Sequence, residues 1–253
     1  MIGSAIEAIF PKLWAHIRIV RHDHNMEPEY WLLPKLCTPN TNAVDVGGNT
    51  GIYAYYLSLI AQRVDVFEPN PICLKQLSRI RTANMCIHGV ALSDRHGEAV
   101  MRFDPNNTGI GTIEKRNRLR NNPGIRDLVE RKVQTRRLDD MQLLNVGFIK
   151  IDVEGHEPAV VRGAIELIER DHPAILLECE MRHNATSFEE LTAILGPLGY
   201  RPWRLLGERL KEVNIGEISD LQAGGPQTSK QYINNFIFLP ESRPAILKSI
   251  GRI

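Results

Sequence analysis

The residues best suited to chemistry fall in three short blocks. The first is VDVGGNTG, Val44 to Gly51, an apolar run that ends in a carboxylate and then a glycine-rich turn. Gly47, Gly48 and Gly51 allow a tight turn and a close approach of backbone to a ligand. Their GGxxG spacing departs from the GxGxxG of dinucleotide sites. Asp45 stands where such a site carries an apolar residue, and a carboxylate there suits a ligand with an ammonium group. Backbone N–H groups at Asn49 and Thr50, opening a helix, suit that ligand's own carboxylate. In the second block, FEPNP, Glu68 ends a strand and can accept hydrogen bonds from both hydroxyls of a ribose, with Pro69 beside it. An amino-acid end at Asp45 and a ribose at Glu68 together describe S-adenosylmethionine. Ala91, Leu92 and Ser93, with Asp94, are then the expected adenine wall, although SDRHGE also reads as a plain turn.

The third block, IKIDVEGHE, places Asp152, Glu154 and His156 where the transferable methyl of such a donor would point. These three are the expected catalytic residues. His156 is read as the general base, because an unperturbed imidazole is largely neutral near pH 7. Asp152 would bind the donor's amino-acid end, orient the base or hold a cation. Glu178 and Glu180 on the next strand make Mg²⁺ a secondary expectation. Pairing of one of them with Lys150 or an arginine is the simpler account, so no metal ligand is assigned. The [N/D]PP[Y/F/W] loop of many amino-group methyltransferases is missing, since DVEG stands in its place. That tilts the acceptor towards a hydroxyl.

Strands and helices that alternate must hold these blocks. NAVDVG (42–47), RVDVFE (63–68), CIHGVAL (86–92), VGFIKIDV (146–153) and AILLECE (174–180) read as buried strands, with helical spacing between them. The first intervening helix carries Ile52, Tyr56, Leu59 and Ile60 on its inner side, and a capping box of Ser187 and Glu190 opens another. Tyr200–Leu206, Leu210–Val213 and Ile233–Leu239 follow as strands. The expectation is an α/β, doubly wound, mostly parallel sheet with ligands at its carboxyl edge. An N-terminal helical cap (1–40), one catalytic domain (41–240) and a C-terminal tail (241–253) complete the division.

The 253 residues suffice for one domain with a substantial core. A net charge of +1 gives no global attraction to nucleic acid or anionic lipid. Cys37, Cys73, Cys86 and Cys179 lack CxxC spacing, which argues against a zinc site or disulfide framework and for a reducing, cytoplasmic home. Ile2, Ile6, Ile9, Leu13, Ile17 and Val20 form one apolar stripe, kinked at Pro11 and too interrupted to span a membrane. A helix packed on the domain or on a dimer partner is expected there, with peripheral membrane contact as the alternative. Residues 104–137 look irregular and basic. They read as a solvated face or as a lid over an anionic acceptor, with Asn106, Asn107, Thr108, Gly109 and Gly111 at its tip. The stretch lacks the aromatics for base stacking, so nucleic acid is not favoured.

VDVGGNTG, FEPNP, ALSDRHGE, FIKIDVEGHEPAVVRGA and NNFIFLP follow one another as in FkbM-type S-adenosylmethionine-dependent methyltransferases, which the chain resembles over roughly 40–240. The resemblance implies a class I, Rossmann-like fold. It also implies O-methylation of sugars, glycans, lipo-oligosaccharides or natural-product hydroxyls. It would put the donor at Asp45, Gly47, Asn49, Gly51 and Glu68, and the chemistry near Asp152, Glu154 and His156. A donor-binding protein without transfer and an NAD-dependent oxidoreductase are the competing readings. Asp45 and the GGxxG spacing count against the second.

Overall fold

The computed structural model describes residues 10–20, 27–117, 119, 125, 127–223 and 232–252. Five short apolar runs form its parallel core: β1 (Asn42–Val46), β2 (Val64–Phe67), β3 (Met85–His88), β8 (Val146–Ile151) and β9 (Ala174–Glu178). β12 (Asn235–Pro240) pairs antiparallel with β9, followed outward by β10 (Tyr200–Leu206) and β11 (Arg209–Glu212). The order is β11-β10-β12-β9-β8-β1-β2-β3. The chain runs outward from β1 to β3, then returns to the other side of β1 as β8. The reversal between β1 and β8 opens a crevice at the carboxyl ends of these strands.

Side chains alternate across the sheet and divide the core into two layers. Ala43, Val64, Val66, Phe148 and Leu176 pack under α1 (Pro11–Val20), α2 (Ile52–Ser58), α3 (Pro71–Ile80) and α7 (Pro244–Ile250). Val44, Val46, Ile149, Ile151 and Leu177 pack under α4 (Glu157–Arg162), α5 (Ile165–Asp171) and α6 (Ser187–Leu195). The helix starts that matter to the crevice are set locally. Asn70 caps α3 by accepting from the Ile72 N–H at 3.0 Å, with Pro71 in the first helical position, where its missing donor costs nothing.

Several local expectations shift. Pro11 begins α1 instead of kinking it, and Ala15 and Ile19 are its buried residues while Leu13 is exposed. Ile2, Ile6 and Ile9 lie outside the described residues. α2 buries Tyr53, Ala54, Tyr55 and Leu57 and leaves Leu59 exposed, because it ends at Ser58 and Leu59 enters a turn. Ser187 is the first residue of α6, not its cap; its hydroxyl donates to Glu157 at 3.3 Å, and Glu190 accepts from Thr186, Arg116 and Arg162. The C-terminal segment is part of the core, with Ile246 and Ile250 buried. Among the described residues no helix is long and apolar enough to cross a membrane.

The largest difference is a second, four-stranded sheet in the order β4 (Ala91–Leu92), β7 (Val129–Arg136), β5 (Gly97–Asp104) and β6 (Asn107–Thr112). The run Cys86–Leu92 breaks after His88, and its end becomes β4, which pairs with β7. β5 and β6 complete it as an antiparallel hairpin. Only Val133 and Thr135 of β7 are buried, so its sequence, VERKVQTR, shows almost no apolar alternation. Three of the six basic residues described in 104–137 are paired with carboxylates: Arg116 with Glu114 and Glu190, Lys132 with Glu98, and Arg137 with Asp139. Arg118, Arg120 and Arg126 lie outside the described residues.

Candidate functional site

At the carboxyl ends of β1, β2 and β8 lies a cleft, where sheets of this kind bind their ligands. Its floor is Gly47, Asn49, Glu68 and Leu92, and Asp152 and Glu154 form one wall. The β5–β6 hairpin roofs it through Met101, Thr108, Gly109 and Thr112. Gly47 is obligatory: at φ +78° a Cβ there would lie 1.8 Å from the Asp152 carbonyl oxygen. The two loops therefore touch backbone to backbone. Asn49 (φ 46°) and Glu154 (φ 56°) also occupy the left-handed region, which non-glycine residues adopt only where their surroundings hold them.

Those surroundings are visible. Glu68 clamps the glycine turn, with Oε2 accepting from the Asn49 N–H at 2.9 Å and Oε1 from the Asn70 N–H at 2.7 Å. Burial pushes its carboxyl up to about 7 against these two donors. On the facing loop, the Thr112 hydroxyl reaches the Val153 carbonyl at 3.2 Å and the Glu154 carbonyl at 3.0 Å, and Asn117 Nδ2 donates to the latter at 2.8 Å. The roof thus holds the strained loop in shape.

Asp45 lies beneath the glycine turn, fully buried, and neither carboxylate oxygen has a hydrogen-bond partner. Burial, reinforced by Asp152, raises it to about 6, and nearby Lys150 and the Ala54 backbone N–H only partly offset this. Lys150 Nζ instead donates to Asp152 at 2.9 Å and sits 4.5 Å above the Tyr53 ring. Beside Asp152, Glu154 Oε2 lies 3.1 Å from His183 Nε2. Burial, reinforced by Asp152, Glu180 and Glu157, holds the Glu154 carboxyl well above the ordinary range, and burial lowers the His183 imidazole to about 4. His156 has both ring nitrogens engaged, Nε2 with Ser93 Oγ at 2.9 Å and Nδ1 with Glu114 Oε2 at 3.1 Å. Burial would raise Glu114, but its bonds to His156 and Arg116 outweigh this and hold it at about 2.

Among the described residues the cleft lining contains Glu68, Asp152 and Glu154 and no lysine or arginine. A pyrophosphate would find three carboxyl groups and no described cation there, whereas a donor carrying sulfonium and ammonium charges favours their ionised forms. The residues present therefore fit S-adenosylmethionine and not a dinucleotide.

Residues 45–202 match the family model described as a methyltransferase FkbM domain. The chain belongs to the FkbM methyltransferase family. It is 28% identical to methyltransferase sdnD of Sordaria araneosa, an alignment covering 50% of this chain and 61% of that protein. The crystal structure of methyltransferase FkbM from Methylobacillus flagellatus KT superposes with a TM-score of 0.52 at 17% identity, over 94% of this chain and 60% of that one. The chain thus spans about three-fifths of the length of each, and the second likeness shows a shared fold.

In this FkbM-family chain, the expected donor residues Gly47, Asn49, Glu68, Pro69, Ala91, Leu92 and Asp152 line one cleft, as do Glu154 and His156. Asp45, Gly48, Thr50 and Gly51 are not among its lining residues, and Ser93 bonds His156. The carboxylates that suggested Mg²⁺ are turned to protein partners. Asp152 takes Lys150, Glu178 accepts from Asn234 at 2.8 Å, and Glu180 from Arg182 at 2.8 Å and from Tyr232. Sequence reading placed Thr108, Gly109 and Gly111 at a lid tip, and they are in the roof. It missed Thr112, Glu114, Asn117 and His183. Thr112 directly follows the named tip, but nothing local marks His183 as a partner of Glu154.

Proposed function

We propose that this FkbM-family protein transfers a methyl group from S-adenosylmethionine to a hydroxyl of a sugar, glycan or related small molecule. The observation that carries this reading is a cleft lined by Glu68, Asp152 and Glu154 above a fully buried Asp45 whose oxygens have no hydrogen-bond partner. Glu68 offers its remaining lone pairs to a ribose. Asp45 and Asp152 supply negative charge for the ammonium, and Leu92, Ala91 and Met101 supply an apolar wall for the base. The bound donor contributes an electrophilic methyl on a sulfonium. The chain's part is to hold the acceptor oxygen in line with it and to take the proton.

Glu154 is the side chain that takes the proton in this reading. Glu154 lines the cleft, and a cationic donor beside it would favour the ionised form that burial alone resists. His156, tied to Ser93 and Glu114, supports the adenine wall. Among the described residues the lining has no lysine or arginine, which favours a neutral, hydroxyl-rich acceptor over a phosphorylated one.

Calorimetric titration with S-adenosylhomocysteine beside NAD⁺, on the wild type and Glu68→Ala, tests the donor site. Labelled methyl transfer to neutral sugars and their phosphate esters tests the acceptor. Binding of S-adenosylhomocysteine alone, lost in the variant, with label on neutral acceptors, is expected. Folded protein that binds neither ligand would overturn the proposal.

A further inference from the structure

A second constellation lies at the sheet edge and takes no part in the cleft chemistry. Cys86 and His88 alternate on β3 and so share one face, and Asp65 is the register partner of Cys86 on β2. One ligand atom from each, the thiol sulfur, an imidazole nitrogen and a carboxylate oxygen, all lie within 4.8 Å of one another. A tetrahedral ion with bonds of about 2.0–2.3 Å needs its ligands about 3.3–3.8 Å apart. The cluster is therefore within a small side-chain adjustment of that geometry. Among the described residues it is the one group of three ligating side chains so arranged.

We propose that Asp65, Cys86 and His88 form a binding site for one Zn²⁺-type cation, independent of methyl transfer. Three features support this. The His88 ring stacks on Phe67 at 4.5 Å, and its Nε2 is aimed at Asp65 Oδ1 at 2.8 Å, so the imidazole is already oriented. Asp65 is also held by Arg63, whose Nε donates to Oδ2 and Nη2 to Oδ1, each at 2.8 Å. Arg63 also interacts with Cys86 and is half-exposed, so it can leave Cys86 and Oδ1 to the ion and keep Oδ2, which is the outer hydrogen bond that ligating carboxylates usually have. Finally, thiolate plus imidazole selects a borderline-soft ion over Mg²⁺ or Ca²⁺, which take oxygen ligands. Coordination displaces the Cys86 thiol proton to solvent and requires the His88 proton to leave Nε2. The fourth position would hold water, and the ion would clip β2 to the edge strand β3.

The test is a titration of the chelator-treated full chain with Co²⁺ as an optical probe, followed by Zn²⁺ in competition. One equivalent of Co²⁺ should give a sulfur-to-cobalt charge-transfer band that Zn²⁺ removes. Cys86→Ser should abolish the band, and His88→Gln should weaken binding at least tenfold. Cys37, Cys73 and Cys179 are buried, so they should not contribute. Thermal melting and S-adenosylhomocysteine titration of both variants show whether they are folded and keep the donor site apart from the metal site. A wild type without the band, or a band unchanged in folded Cys86→Ser, would overturn the proposal.

Discussion

Asp45 and Lys150 are register partners across the β1–β8 ladder, yet the Lys150 ammonium donates to Asp152 and leaves both Asp45 oxygens without a partner. An uncompensated buried carboxylate is costly, and it is retained most readily where a ligand completes it. Asp45→Asn removes that charge. Melting should be unchanged or higher, and S-adenosylhomocysteine affinity should fall at least tenfold. A variant with lower melting and wild-type affinity would show Asp45 to be structural.

The same crowding predicts how stability depends on pH. Burial raises Glu29, Glu68 and Glu157 from 4.5 to about 7 in the folded chain, so between those values the native state holds more protons than the unfolded one. Stability should therefore fall as pH rises through about 7. His183 acts in the opposite sense, since burial lowers it from 6.5 to about 4, but its contribution is complete above about 6.5. Ligand-free protein should melt lower at about pH 8 than at about pH 6.5. Equal or rising melting temperatures would contradict the assignment.

If Glu154 accepts the proton, Glu154→Gln should lower turnover by a hundredfold or more, a loss within the range of general-base catalysis. Donor affinity should stay within a few-fold of wild type. His183 acts through Glu154 and not on substrate, so His183→Gln should lower kcat less, leave KM nearly unchanged and shift the pH–rate profile. An unshifted profile would reduce His183 to a packing role.

Thr112 joins the roof to the Val153–Glu154 carbonyls and also accepts the Glu114 N–H at 2.9 Å. Thr112→Val keeps the shape and leaves that buried donor unpaired, a loss of about 1–3 kcal/mol. Denaturant unfolding should read this, together with weaker donor binding as the left-handed Glu154 relaxes. Unaltered stability would mean that Asn117 alone secures the loop.

What was legible in the amino-acid order is what neighbours in sequence enforce. The apolar runs of β1, β2, β8 and β9 announce themselves because both faces of a central parallel strand are buried. The blocks that follow them line one cleft because each lies at the carboxyl end of its strand. The chain order alone therefore pointed to Glu68, Gly47 and Asp152. Tertiary structure decided the rest. Its second sheet is half solvated, and β7 buries too few positions to show a period. His183 reaches Glu154, Ser93 reaches His156, and Asp65 meets Cys86 and His88 only because strand order and register bring distant segments together. Such pairings depend on which strand lies beside which, and local periodicity carries no record of that.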